Sequence, residues 1–140
     1  MKLITIGVIF LAGIVASSIA ATAHFEFSLP NVSTNTLIFQ LTSDTLIVQA
    51  RDILSGKEKE YVHVMGKIVK SKADYNPKWS YHIDPNTVKF FSKTMEACDA
   101  SIEYVEDHLQ QACGSFLPDC AWCPWTSKLL REVPAAEIKN

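Results

Sequence analysis

Five stretches of the chain alternate apolar with polar residues, and two others space their apolar residues by three and four. Phe25, Phe27 and Leu29 alternate with Glu26 and Ser28, which reads as a strand. Pro30-Asn31 then turns the chain, and Leu37, Phe39 and Leu41 alternate in a second strand. Ser43 or Asp44 is placed to cap a helix with Leu46, Ile47, Ala50, Ile53 and Leu54 on its inner face. Gly56 follows where a left-handed residue closes a helix. Val62, Val64, Gly66 and Ile68 alternate with His63, Met65 and Lys67 in a third strand. Trp79, Tyr81 and Ile83 alternate with Ser80, His82 and Asp84 in a fourth, and Val88 and Phe90 mark a short fifth. A long helix is predicted from about Thr94 to Ala112, its buried stripe formed by Met95, Cys98, Ile102, Val105, Leu109 and Ala112. Gly114 again stands just past its end, and residues 135–140 read as a frayed tail.

The order β-β-α-β-β-β-α predicts an α+β fold. The expectation is a mainly antiparallel sheet of about four to five strands, two helices packed on it and a disulfide-stapled C-terminal loop. The residues before it have the form of a leader. Met1-Lys2 is a short positive start, Leu3 to Val15 is apolar apart from Gly and Thr5, and residues 16–23 turn small. Ala21-Thr22-Ala23 has the small-x-small form that signal peptidase accepts. Residues 1–23 are therefore predicted to be a signal peptide, with His24 as the mature N-terminus and one domain over residues 24–134. The alternative is a membrane anchor retained from Leu3 to Ala23. No second apolar run of spanning length follows, so no membrane partner is expected after the leader is removed.

Charge adds an exclusion. The 140 residues carry 13 Lys and Arg against 15 Asp and Glu, a net charge of -2, so nothing points to nucleic acid. Export predicts an extracellular protein with paired cysteines. It also gives meaning to Asn31-Val32-Ser33, a glycosylation acceptor.

Four cysteines allow three pairings. On the predicted helix, Cys98 and Cys113 would stand roughly 22 Å apart at about 1.5 Å per residue. A disulfide needs Cα atoms within about 7 Å, which excludes Cys98–Cys113 and with it Cys120–Cys123. After Gly114 the chain must run back along the helix, so Cys120 lies near Cys113, and Cys123 lies further toward Cys98. The nested pairing Cys113–Cys120 with Cys98–Cys123 follows. The Cys120-Ala121-Trp122-Cys123 spacing also matches a dithiol redox motif, but Pro118 and Pro124 bracket it and no βαβ unit surrounds it.

His82 and Asp84 share a strand face and, with His63 or His108, form a candidate metal set. A polar strand face at the sheet surface is the preferred reading, and no metal or cofactor is expected. Asp99, Glu103 and Asp107 stack at helical spacing without a Ca²⁺-loop pattern, as on a solvated face. No nucleophile elbow, phosphate loop or Ser-His-Asp order is visible, so no catalytic residue is assigned. Trp79, Tyr81, His82, Trp122 and Trp125 are the candidate binding residues, with core packing under the disulfides the preferred reading of the four aromatic ones.

Three stretches are familiar as a set. They are Ala50-Arg51-Asp52-Ile53-Leu54-Ser55-Gly56; Val62 to Lys70 leading through Tyr75-Asn76-Pro77 to Trp79-Ser80-Tyr81-His82-Ile83-Asp84-Pro85; and Cys98-Asp99-Ala100 through Leu109 to Phe116-Leu117-Pro118 and Trp122-Cys123-Pro124-Trp125. The chain resembles the small-domain family labelled calmodulin-binding-protein-like over nearly all of Phe25 to Val133. The resemblance implies cysteines at Cys98 and Cys123, with Cys113 and Cys120 as an added pair. It implies no catalytic residues. Calmodulin itself is a doubtful partner, because it grips basic helices. The long helix carries Glu96, Asp99, Glu103, Glu106 and Asp107, with Lys93 as its one base. The function expected is a secreted, non-enzymatic binding module for an extracellular protein or small ligand. Alternatives are a small protease inhibitor using Gly114 to Ala121 and a metal-dependent enzyme using His82.

Overall fold

Alternation in the first two strands carries directly into packing. Strand β1 (Ala23–Ser28) pairs antiparallel with β2 (Thr36–Leu41), from Ala23 opposite Leu41 to Ser28 opposite Thr36. Every second residue faces inward, and Phe25, Phe27, Leu37, Phe39 and Leu41 are fully buried. The computed structural model describes residues 9, 12–14, 21–93 and 96–138. Most of the expected leader, Thr94 and Met95 of the expected long helix, and the last two residues of the expected tail lie outside them.

Helix α1 (Asp44–Ser55) forms where its caps place it. The Ser43 hydroxyl accepts from the Leu46 N–H, and Gly56 closes the helix at φ 81°. Ile47 and Ala50 are buried, and α1 lies against β2 and a strand that the alternation does not reveal, β7 (Lys128–Val133). That strand pairs with β1 and completes a three-stranded sheet in the order β2-β1-β7. Its pattern is hidden by a bulge. Glu26 faces Arg131 but Phe27 faces Leu129, so Leu130 is an extra residue, 45% exposed, that shifts the phase of burial.

The remaining strands gather on β3 (His63–Val69). β4 (His82–Ile83) pairs with its end and β5 (Lys89–Phe91) with its start, while β6 (Ala121–Trp122) pairs with its middle. Between β4 and β5 the register shifts by the three residues of the 3₁₀ turn Pro85–Thr87. The turn fills the gap in the ladder: the Lys67 N–H donates to Thr87 Oγ1, and the Lys67 carbonyl accepts from the Asp84 N–H. The predicted fourth strand is therefore short, with Trp79 and Tyr81 outside the ladder yet buried. Every strand pair is antiparallel, and the fold is α+β, its strands divided between two sheets.

The long helix is a correction. Among the described residues its span holds a 3₁₀ turn (Glu96–Cys98), an extended link, and a six-residue helix α2 (Ile102–Asp107). Ser101 starts α2 anew, its hydroxyl accepting from the Tyr104 N–H. Carbonyls that a continuous helix would use are taken by the C-terminal segment: the Cys98 carbonyl accepts from the Cys123 N–H and the Ala100 carbonyl from the Trp122 indole. Gly114 is not left-handed; Cys113 beside it is, at φ 68°. The disulfides are Cys98–Cys123 and Cys113–Cys120, the nested pairing, although the single helix assumed in deriving it is absent. Past Pro134, where fraying is expected, α3 (Ala135–Ile138) forms, with Glu137 bonded to Arg131.

Gly66 of β3 has the least room for a side chain among the described glycines. A Cβ there would overlap Ile83 Cγ2 and press on Thr87 Oγ1. Gly66→Ala is expected to cost about 1–3 kcal/mol in urea unfolding. In an Ile83→Ala background the same change should cost clearly less, because the overlapping methyl is gone.

Candidate functional site

The aromatic residues singled out by sequence do not form a surface. Tyr81 and Trp122 are fully buried and Trp79 is 6% exposed. Each spends its polar atom on a carbonyl of another segment. Trp79 Nε1 donates to Thr36 O at 3.0 Å, Tyr81 Oη to Ile102 O at 2.9 Å, and Trp122 Nε1 to Ala100 O at 3.0 Å. The Trp122 ring packs against Phe27 and Tyr81, with centroids 5.9 and 5.8 Å away. These three side chains are core, because a large ring with a satisfied donor gains most from burial. Trp125 is 37% exposed, with its N–H on Asp99 Oδ1. His82 is half-buried beside Tyr75. The five candidates therefore share no common opening.

Three histidines are anchored alike. His63 Nδ1 lies 2.8 Å from Ser127 O, His82 Nδ1 2.7 Å from Ser71 O, and His108 Nδ1 2.9 Å from Tyr104 O. A carbonyl only accepts, so each Nδ1 carries the proton, and Nε2 is left as the acceptor of the neutral ring. Among the described residues no three His, Cys, Asp or Glu side chains converge to hold a metal ion, so His82 and Asp84 gain no partner in His63 or His108. In the loop from Gly114 to Ala121, Gly114, Ser115, Pro118 and Asp119 are exposed. Leu117 is 1% exposed and tucks the loop into the core.

A cleft of about 480 Å³ lies elsewhere, where the end of α1 meets the starts of β3 and β7. Pro30, Ile53, Val62 and Leu129 give it an apolar lining, with Lys59, Thr126 and Lys128 among its polar residues. Its walls are held firmly. Gly56 ends α1, and Glu58 pins the following loop by accepting from the N–H groups of Tyr61 and Glu60. Those bonds, Tyr61 first, hold the Glu58 carboxyl below its usual range. On the other side Ser127 is buried, its hydroxyl accepting from the Val64 N–H while its carbonyl holds His63. His63 lines this cleft, and Nε2 is its uncommitted nitrogen. Residues 30, 53–63 and 126–129 are far apart in the chain, and no local pattern joins them.

Residues 21–136 match the family model for the BP-74 N-terminal domain. The chain belongs to this family. No curated protein and no solved structure matches it. In this member of the family Asn31, the first residue of the Asn31-Val32-Ser33 tripeptide, is exposed in a left-handed turn at φ 66°. The Ser33 hydroxyl of the same tripeptide donates to Glu103, as does the Asn35 amide. Burial works to raise the Glu103 carboxyl, but these bonds, with the nearby Lys78 charge, outweigh it and leave it lowered.

Two rings in contact titrate abnormally. His24 lies 4.9 Å from Tyr75, centroid to centroid. Burial lowers the His24 pKa below 6.5. Burial, then the Asp84 charge, pushes Tyr75 from 10.0 up to about 12. The folded domain thus holds the Tyr75 proton after the unfolded chain has released it, so stability falls as pH rises from 10 toward about 12. Alkaline urea unfolding should show a smaller loss in a Tyr75→Phe variant. For His24 the sign is opposite: stability is present above 6.5 and is lost as pH falls, because the unfolded chain protonates first. An NMR titration placing the His24 ring at or above 6.5 would contradict this.

Proposed function

We propose that the domain is an exported, non-enzymatic binding module whose ligand enters the cleft between Gly56–His63 and Thr126–Leu129. The supporting observation is the combination of a mostly apolar lining with one anchored imidazole that keeps a nitrogen uncommitted. Such a site takes a small apolar group carrying one polar atom, the apolar area giving affinity and the imidazole orientation. On this reading the leader is removed and Asn31 serves as a glycan acceptor. The cleft replaces the buried tryptophans as the recognition surface, with the extracellular protein or small ligand still to be identified.

The finer calmodulin-binding-protein-like label is compatible with the family that the chain belongs to, but a calmodulin complex needs a basic amphipathic helix. Helix α1 has one base, Arg51, already paired with Glu132 at 2.7 Å, and α2 has none. A ligand in the cleft is the better-supported reading.

Screening the ¹⁵N-labelled chain by NMR against small amphipathic molecules and short apolar peptides tests it. The expected binders move the amides of Val62, His63 and Leu129. His63→Ala, checked for folding by circular dichroism, should weaken them roughly 5–30-fold, the worth of one hydrogen bond. Trp125→Ala should leave them unchanged. Shifts centred on Trp125 and Asp99, or no binder at all, would refute the assignment.

A further inference from the structure

Left-handed backbone is concentrated in one loop. The non-glycine residues with positive φ among those described are Asn31, Cys113, Leu117, Asp119 and Cys120. All but Asn31 lie between Cys113 and Cys120, at φ 68°, 46°, 60° and 63°. Residues with a Cβ avoid this region because the Cβ crowds the following carbonyl, and a branched-chain residue such as Leu117 has no local hydrogen bond to offset it. Gly114, in the same loop, is not among the left-handed residues. The loop therefore holds its conformation against local preference. Two restraints act on it: the Cys113–Cys120 bond across its ends and the burial of Leu117 at its centre.

The two disulfides differ in setting. Cys123 is fully buried, and its N–H donates to the Cys98 carbonyl at 2.7 Å, so that bond sits within packed structure. Cys113 and Cys120 are both half-buried, so neither half of their bond is enclosed as Cys123 is, although Cys98 is half-buried too. The salt bridge beside them, Lys67 to Asp119 at 3.2 Å, is itself exposed and restrains little. An accessible disulfide whose product relaxes is the one that exchanges most readily.

We propose that Cys113–Cys120 is a thiol–disulfide exchange site, reduced by an external dithiol while Cys98–Cys123 persists, and that reduction releases Leu117 from the core. A thiolate of the dithiol attacks one sulfur of the bond. The other sulfur leaves as a thiolate and takes a proton. The second thiol of the reductant then resolves the mixed disulfide. Two electrons pass, the domain gains two thiols and the dithiol becomes a disulfide. The four left-handed residues can then return to ordinary φ values, and the segment carries Phe116 away from Tyr104 and His108, whose rings pack against it. This chemistry differs from a Cys-x-x-Cys dithiol, since Cys120 and Cys123 are bonded to different partners.

The test is a dithiothreitol titration of the oxidised full chain at neutral pH, followed by acid quench, alkylation and peptide mapping. Cys113 and Cys120 should be labelled at reductant concentrations roughly tenfold or more below those that label Cys98 and Cys123. Amide protection should fall within residues 112–121 and persist in β1 and β3. Joint reduction of both bonds, or Cys98–Cys123 first, overturns the proposal. Asp119→Gly removes one Cβ from the left-handed set, so it should raise the reductant needed by about 3–10-fold. Asp119→Asn, which removes the charge but keeps the Cβ, should leave it nearly unchanged. Equal responses of the two variants would overturn the role of the backbone. A Cys113→Ser/Cys120→Ser variant should fold with Cys98–Cys123 intact; its failure to fold would overturn selective release.

Discussion

The indole N–H of Trp122, given to the Ala100 carbonyl, is the bond around which the two halves of the molecule are arranged. In an unbroken helix that carbonyl would serve the Tyr104 N–H. Here Ser101 takes over Tyr104, and Ala100 is released to the tryptophan. Two residues earlier the Cys98 carbonyl is released in the same way and accepts from Cys123. The break in the helix and the docking of the C-terminal segment are thus one event. It carries Trp122 into contact with Phe27 of the first sheet and Tyr81 beside the second, and the Tyr81 hydroxyl in turn donates to the Ile102 carbonyl in the first turn of α2. A buried ring with a satisfied donor, touching both sheets, leaves little freedom in how they meet.

The legible parts of the fold are those whose signal is local. β1, β2 and α1 follow from alternation, a Ser cap and a closing glycine, and each is where the pattern puts it. The long helix fails for the reason just given. Of its stripe, Ile102, Val105 and Ala112 are buried and Leu109 packs against the core, but spacing records which side chains are buried and not which carbonyls are claimed from outside. The disulfide pairing survives the loss of that helix because it also rests on the chain turning back after Gly114, and the chain does so. β7 escapes notice because one bulged residue, Leu130, breaks its period.

The candidate site was less legible. Trp79, Tyr81 and Trp122 attract attention as recognition residues, yet the same size and polarity suit a core position with one acceptor in reach. Asn76 illustrates the converse. In sequence it is turn chemistry before a proline. In the fold it is 4% exposed, and its amide both accepts from the Ile38 N–H and donates to the Ile38 carbonyl. It thereby replaces a neighbouring strand along the open edge of β2. The cleft beside His63 depends on three distant segments, and only their meeting creates it.

The central place of β1 in its sheet has a consequence for the order of assembly. Its first neighbour, β2, follows within a few residues, but the second, β7, lies near the other end of the chain. The Arg131–Glu26 bond joins residues 105 positions apart. During synthesis the first strand must wait, its backbone partners on one side unmet, until residues 128–133 have been made. The hairpin of β1 and β2 alone is a marginal structure in water. Closure of this sheet is therefore a late, all-or-none step, and a chain that stops before residue 128 would retain most of its core residues and still lack the strand that lets them close.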